Sequence, residues 1–299
     1  MPSTPSIRPL HAESGFSLIE LLVATTVMLA ALAAAGPFFA VGSHRIQDQI
    51  LMIETLQGLR AAEDSMIRDL RLGGACLPRT GDFITLDATN TTTDTIFTRT
   101  GLVQPNDQCI LNTLKTAANA GDSQLTLNSA AGFTAGMRVY ILNTDQVNGE
   151  VFTITGADTS ANTLQKGTSF TCASRGGCPA PAYQAGSGVY ALDERQYAVD
   201  NSNPSLPELK ITVNGATATP FAAGITNLQL QYQLAQNCDS TGENCTVVDT
   251  PANTAQFQLV NQIYITLTAQ SLKPLSTGQY YTVSRTVTAK PRNLLPNAG

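Results

Sequence analysis

A chain of 299 residues is long enough to bury a sizeable core in one or two domains. Apolar side chains make up 42% of it, which excludes a disordered polymer, while charged side chains reach only 13% and the net charge is −5. No run of Lys or Arg exceeds two residues, so the basic stripe that phosphate recognition needs is missing and nucleic acid is not an expected partner.

Two histidines occur, His11 and His44, and none lies beyond position 44. A Ser-His-Asp triad, a Cys-His pair or a histidine metal site therefore cannot be assembled within the C-terminal part. The G-x-S-x-G, G-x-x-x-x-G-K, G-x-G-x-x-G and H-E-x-x-H patterns are all absent. Acidic loops at Asp145–Glu150 and Asp239–Glu243 carry oxygens that suit calcium, but without the twelve-residue EF-hand spacing they read as solvated turns. No enzyme, cofactor or metal site is expected.

From Leu21 to Ser43, 23 residues carry no charge, enough to span a bilayer as a helix. The small residue that a protease would need, Gly15, precedes this apolar run rather than following it. That order is wrong for ordinary signal peptidase, and a cut after Gly15 would leave the hydrophobic helix at the new N-terminus. Glu20 interrupts the apolar stretch. A carboxylate near a bilayer costs roughly 2.5–3.5 kcal/mol on insertion scales and calls for a partner. No Lys or Arg lies within two helical turns of it. Two readings fit the isolated residue: pairing with an α-amine freed by cleavage before Phe16, or snorkelling to the headgroup region.

The segment GFSLIELLVA resembles the class III signal of type IV prepilins and type II secretion pseudopilins: glycine, an apolar residue, a short apolar or hydroxyl stretch, then glutamate. The resemblance implies that Gly15 precedes the prepilin peptidase cut, that Phe16 becomes an N-methylated N-terminus, and that Glu20 neutralises the N-terminal amine of an adjacent subunit during assembly. Residues 1–15 would then be the leader, with Arg8 and the initiator amine supplying its positive charge. Leu29 stands where many pilins have glycine, whereas Pro37 falls where they commonly have a proline, and Gly36-Pro37 predicts a kink.

Beyond the apolar half-helix (16–43), residues 44–74 become amphipathic. Ile46, Ile50, Ile53, Leu56, Leu59, Met66, Ile67 and Leu70 recur at three- and four-residue steps, and Gly73-Gly74 should end the helix. One helix from Phe16 to Leu72 would be roughly 85 Å long at about 1.5 Å per residue. Its apolar stripe is expected to cover a sheet.

Residues 75–299 change to a period of two, the mark of half-buried strands. Leu228, Leu230, Tyr232 and Leu234 alternate with glutamines, and Phe257, Leu259, Ile263, Ile265 and Leu267 repeat the pattern, followed by Tyr281, Val283, Arg285 and Val287. Earlier strands are expected near Phe83–Leu86, Thr95–Thr98, Gly188–Val199 and Glu208–Val213. With no helix-length crossover between them, antiparallel pairing follows. The stretch from about 116 to 170 reads as a small all-β insertion that either enlarges the head or presents a contact surface. The predicted fold is α+β, a long kinked helix on an antiparallel β-rich head, pilin-like in form.

The C-terminal VTAKPRNLLPNAG together with ITNLQLQYQL resembles minor pilins of the PilW type. Six cysteines permit 15 pairings, and proximity favours Cys172–Cys178 and Cys238–Cys245, leaving Cys76–Cys109, in an oxidising compartment. The resemblance implies a minor pilin with its head in the periplasm and its helix in the inner membrane, later carried to the cell surface. Its partners would be prepilin peptidase, other minor and major pilins and the inner-membrane assembly platform. A large head would crowd a continuous shaft, which points to the initiation or tip complex. Three rival functions remain: a type II secretion pseudopilin, an adhesive binding module, and a membrane-tethered periplasmic enzyme, against which the missing histidines argue.

Overall fold

A computed structural model describes residues 17–78, 85–119, 121–145, 149–172, 182–239 and 245–294. The chain is an α+β protein. Helix α1 runs from Leu18 to Leu72, 55 residues, or about 82 Å at about 1.5 Å per residue. It continues through Pro37, whose missing N–H removes one i→i−4 bond, to the carbonyl of Ala33. At its other end Gly73 donates its N–H to the Leu70 carbonyl, and Gly74 takes a left-handed φ of 80°. A Cβ on Gly74 would also lie 3.0 Å from the Asn293 carbonyl oxygen, so glycine serves both the turn and the close packing of the C-terminal segment.

The strands follow in chain order. The first seven are β1 (Leu86–Thr89), β2 (Thr95–Gly101), β3 (Leu111–Thr113), β4 (Gln124–Thr126), β5 (Arg138–Leu142), β6 (Gly149–Asp158) and β7 (Thr163–Cys172). Next come β8 (Gly188–Asp200), β9 (Glu208–Val213), β10 (Thr219–Ala223), β11 (Ile225–Leu234) and β12 (Val247–Val248). A short helix, α2 (Thr254–Gln258), precedes β13 (Val260–Gln270) and β14 (Thr282–Ala289). All pairings are antiparallel, in a ten-stranded sheet and a four-stranded sheet ordered β12-β11-β13-β14.

Strand β8 is the spine of the larger sheet. Its first residues pair with β3 on one edge and β5 on the other, and its remainder pairs with β2 and β9. Because successive side chains alternate, its odd-numbered residues share one face. Val189 and Ala191 enter one hydrophobic core, which draws on residues from Ile110 to Ala191. Tyr197 enters another, built from Leu59, Met66 and Leu70 of α1 with Leu228, Leu230, Ile263, Ile265 and Leu267 of the smaller sheet. The part expected as an insertion at about 116–170 is thus continuous with the large sheet, and its core reaches past both ends of that span.

Two local expectations change. Leu259 and Phe257 do not begin the β13 strand. Asn253 accepts a hydrogen bond from the Gln256 N–H, caps α2, and delays the strand to Val260. Along α1, Leu59, Ala62, Met66 and Leu70 are fully buried, whereas Ile46, Ile50 and Ile53 are 59%, 49% and 53% exposed. The stripe covers the sheet only in its upper half. The three isoleucines lie on the opposite side of the helix, because positions 46, 50 and 53 project about half a turn away from 59, 62, 66 and 70.

Candidate functional site

The helix that leaves the head is the feature most unlike an ordinary soluble domain. It has an 18-residue window of mean hydropathy 2.2, none of it buried, and is long and apolar enough to cross a membrane. Leu18, Ile19, Phe38 and Phe39 are 70–82% exposed. Within this segment the polar side chains are satisfied locally: the Thr25 and Thr26 hydroxyls donate to the carbonyls of Leu22 and Val23. Glu20 lies in the first turn, exposed, where a carboxylate favours the positive end of the helix. The chain supplies no Lys or Arg between it and Arg45. Gly15 and Phe16 lie outside the described residues. Gly36 and Pro37 sit mid-helix, with open space around a Cβ placed at Gly36.

Carboxylates at three heights fasten the upper half of α1 to the head. Lowest is Asp48, whose carboxylate accepts from the Ser276 N–H at 2.8 Å and its hydroxyl at 2.6 Å, in the loop joining β13 to β14. Next, Glu63 meets Arg285 of β14 at 3.3 Å. Highest, buried Asp69 accepts two bonds from Arg195 Nη1, at 3.1 and 3.0 Å, and one from the Tyr197 hydroxyl. Arg195 also reaches Asp193, so this cluster fills the polar gap between the two cores on the odd face of β8. Burial, with the Asp69 hydrogen bond second, pushes the Tyr197 phenol up to about 12.

On the even face of β8, Glu194 holds Arg99 at 3.0 Å and Arg138 at 3.3 Å, at the base of a polar groove that also includes Asp87, Phe97 and Gln196. Burial lowers the Arg99 pKa and Glu194 opposes it. Farther along, Lys166 and Glu150 form a buried pair at 2.7 Å, with the Lys166 ammonium 5.4 Å from the Phe152 ring centre. Each of these carboxylates faces a cation, the arrangement of a structural ion pair. Sequence reasoning missed all of them, because partners from 16 residues apart (Lys166 and Glu150) to more than a hundred (Arg195 and Asp69) leave no local pattern. Glu150, read above as part of a solvated turn, is buried instead. Asp145 remains in a turn and accepts from the Asn143 side chain, while the loop after Asp239 lies outside the described residues. Among the described residues no group of three or more His, Cys, Asp or Glu is placed to hold a metal.

Disulfides join Cys76 to Cys109 and Cys238 to Cys245. The first ties the turn after α1 to the loop between β2 and β3. Nothing is described of the side chain of Cys172 or of Cys178, so that pairing lies outside the described residues.

No family model matches the chain, and no curated protein matches it. What the fold defines is an α+β protein with, among the described residues, two disulfides and one apolar N-terminal helix long enough to cross a membrane.

Proposed function

We propose that this chain is a minor pilin of the type IV class, made as a prepilin, cut after Gly15 and packed by its helix into a filament. The observation that carries the reading is Glu20: an acid in the first turn of a helix whose next 23 residues carry no charge and whose most apolar stretch is uncovered. Such a carboxylate is costly in the membrane unless it finds a cation. Cleavage before Phe16 would create one four residues away in sequence, on each subunit. Glu20 of one subunit would then accept the Phe16 ammonium of a neighbour, exchanging a lone buried charge for a hydrogen-bonded pair. The apolar half-helix would sit in the inner membrane first, with the head in the periplasm, and then in the filament core. A kink at Gly36-Pro37 belongs to the same proposal, since the bond missing at Pro37 gives the helix a place to bend there. No catalytic role is proposed. The size of the head favours the initiation or tip complex over the shaft, and the assembly platform, prepilin peptidase and other pilins would be its partners.

Mass spectrometry of the protein purified from cells should give a mature N-terminus at Phe16, methylated. Glu20→Ala should insert and be processed normally yet disappear from sheared filaments. Filaments that contain the Glu20→Ala protein at the normal level would sink the amine-pairing mechanism, and a retained Met1 leader would sink the class.

A further inference from the structure

The large sheet carries, on the face turned away from α1, an organised group of side chains for which the filament has no use. Strand register sets them in rows. Asp87, Phe97 and Gln196 lie opposite one another across β1, β2 and β8, with Thr89 opposite Thr95 in the row on one side and Arg99 opposite Glu194 on the other. Their neighbours Leu86, Ala88, Ile96 and Tyr197 point the other way, into the core under α1. Arg138 of β5 and the turn at Gly215 close one end. The groove so formed encloses about 570 Å³, within the roughly 300–1,000 Å³ of small-ligand pockets. Thr95, Phe97 and Gln196 are each half-buried along it.

Arg138 is only partly used by the pairing with Glu194. Its Nη2 lies 3.3 Å from Glu194 Oε1, while its Nε is buried with no acceptor among the described residues. A guanidinium placed for packing alone would have its buried N–H groups satisfied. Gly215, at a left-handed φ of 72°, leaves the same side chain uncovered: a Cβ there would stand 3.4 Å from Arg138 Nη1. That turn is fixed in place. The Glu194 N–H donates to Asn214 Oδ1 and the Asn214 N–H to the Glu194 carbonyl, both at 2.8 Å. At the other end, the Arg99 guanidinium covers one face of the Phe97 ring, 4.3 Å from its centre. Thr95, two residues back on the same side of the strand, is short, so the opposite ring face borders the groove.

We propose that this groove binds a neutral pyranose sugar. Its charges balance, Arg99 and Arg138 against Asp87 and Glu194, so it has no net attraction for an anion, and a phosphate or carboxylate would meet two carboxylates. Sugar hydroxyls each donate and accept. The groove offers a donor in Arg138, acceptors in Asp87 and Glu194, whose carboxylates have lone pairs to spare, and both kinds in Gln196 and Thr89. The C–H face of a pyranose ring matches the flat apolar face of Phe97. A peptide strand is not suited to this place, because the backbone of β2 on the floor is already paired on both sides, with β1 and β8. The site lies wholly on the head and does not depend on N-terminal cleavage.

Saturation-transfer NMR on the full chain tests this, in micelles of deuterated dodecylphosphocholine, a detergent that carries no sugar. The probes are the methyl glycosides of glucose, galactose, mannose and N-acetylglucosamine, with glucuronate and adenosine monophosphate as charged controls. Irradiating the aromatic protons of the protein should saturate the ring C–H protons of at least one methyl glycoside, and neither charged control should displace it. Gln196→Ala should weaken that binding about fivefold, the effect of one hydrogen bond. Thr95→Tyr fills the space beside the Phe97 ring without removing any described side-chain contact, and should abolish it. Both variants should melt at the temperature of the parent, which separates loss of the site from loss of the fold. Transfer to none of the methyl glycosides, displacement by either charged control, or binding that survives unchanged in both variants overturns the inference.

Discussion

Asp69 is a buried carboxylate 3.0 Å from a guanidinium that remains 32% exposed, and the Tyr197 hydroxyl completes its shell. Removing one member of such a set leaves a buried acceptor short of a donor, which costs about 1–3 kcal/mol. Tyr197→Phe should therefore lower stability by about that amount at neutral pH. The same variant should change the alkaline limb. The phenol has a folded-state pKa of about 12, above the roughly 10 of an unfolded tyrosine, so its contribution is complete below pH ~10 and is lost as pH rises towards ~12. Thermal melts between pH 8 and 12 should show a shallower decline in Tyr197→Phe than in the parent; equal slopes would mean that another group controls the loss. A neighbouring constraint is steric. A Cβ at Gly101 would lie 2.6 Å from the Cys76 Cβ, so the disulfide turn and β2 approach closely because position 101 has no side chain.

At the scale of elements, α1 is one helix in two environments. Its upper half owes its position to four buried residues and to polar fastenings on the head, its lower half to nothing among the described residues. The lowest fastening, Asp48 to Ser276, is made on an exposed loop and holds that loop against the helix flank. Ser276→Ala removes the hydroxyl donor and keeps the N–H. Amide hydrogen exchange over residues 44–55 should then accelerate while protection at 59–70 is unchanged, since the upper contacts are independent. Faster exchange along the whole of 44–72 would show the fastenings to be coupled. The four-stranded sheet, by contrast, is legible from its alternation: Leu228, Leu230, Tyr232 and Leu234 of β11 point inward, as do Ile263, Ile265 and Leu267 of β13. The start of β13 escapes, because a cap made by Asn253 outweighs the apolar pattern at Phe257 and Leu259, and so does the two-residue β12, too short to show a period.

At the scale of the whole molecule, two large cores and a smaller one around Tyr140, Val151 and Leu192 are strung on β8, and the upper half of α1 closes the first. Leu59, Met66 and Leu70 are each fully buried, and together their burial is worth roughly 5–9 kcal/mol, comparable with the entire stability of a typical domain, about 5–15 kcal/mol. A chain starting at Ser43 should fold as a soluble head with the Cys76–Cys109 and Cys238–Cys245 bonds formed, whereas one starting at Ala75 should not give a cooperative melt. Circular dichroism on the two truncations distinguishes them, and a cooperative transition in the shorter chain would mean that the helix is dispensable to the core. The Cys76–Cys109 bond spans 33 residues and the Cys238–Cys245 bond only 7. Loop entropy therefore assigns the first the larger share, about 4 kcal/mol against about 2–3.

Local order alone determined the long helix and its glycine end, the antiparallel sheets, and the acid at position 20 of an apolar run, because a period of 3.6 or 2 and a length of about 20 apolar residues depend on near neighbours only. Tertiary structure decided which part of the amphipathic stripe is core. Ile46 and Leu59 both recur at helical steps along the chain, but the head packs on one side of the helix, which buries Leu59 and leaves Ile46, on the other side, exposed. It also decided the ion pairs of Asp69, Glu150 and Glu194, whose partners are brought together by helix-on-sheet packing for Asp69 and by strand pairing for the other two, rather than by proximity in the chain. A charge pair has no period to read, so its existence follows from the fold and not from the spacing.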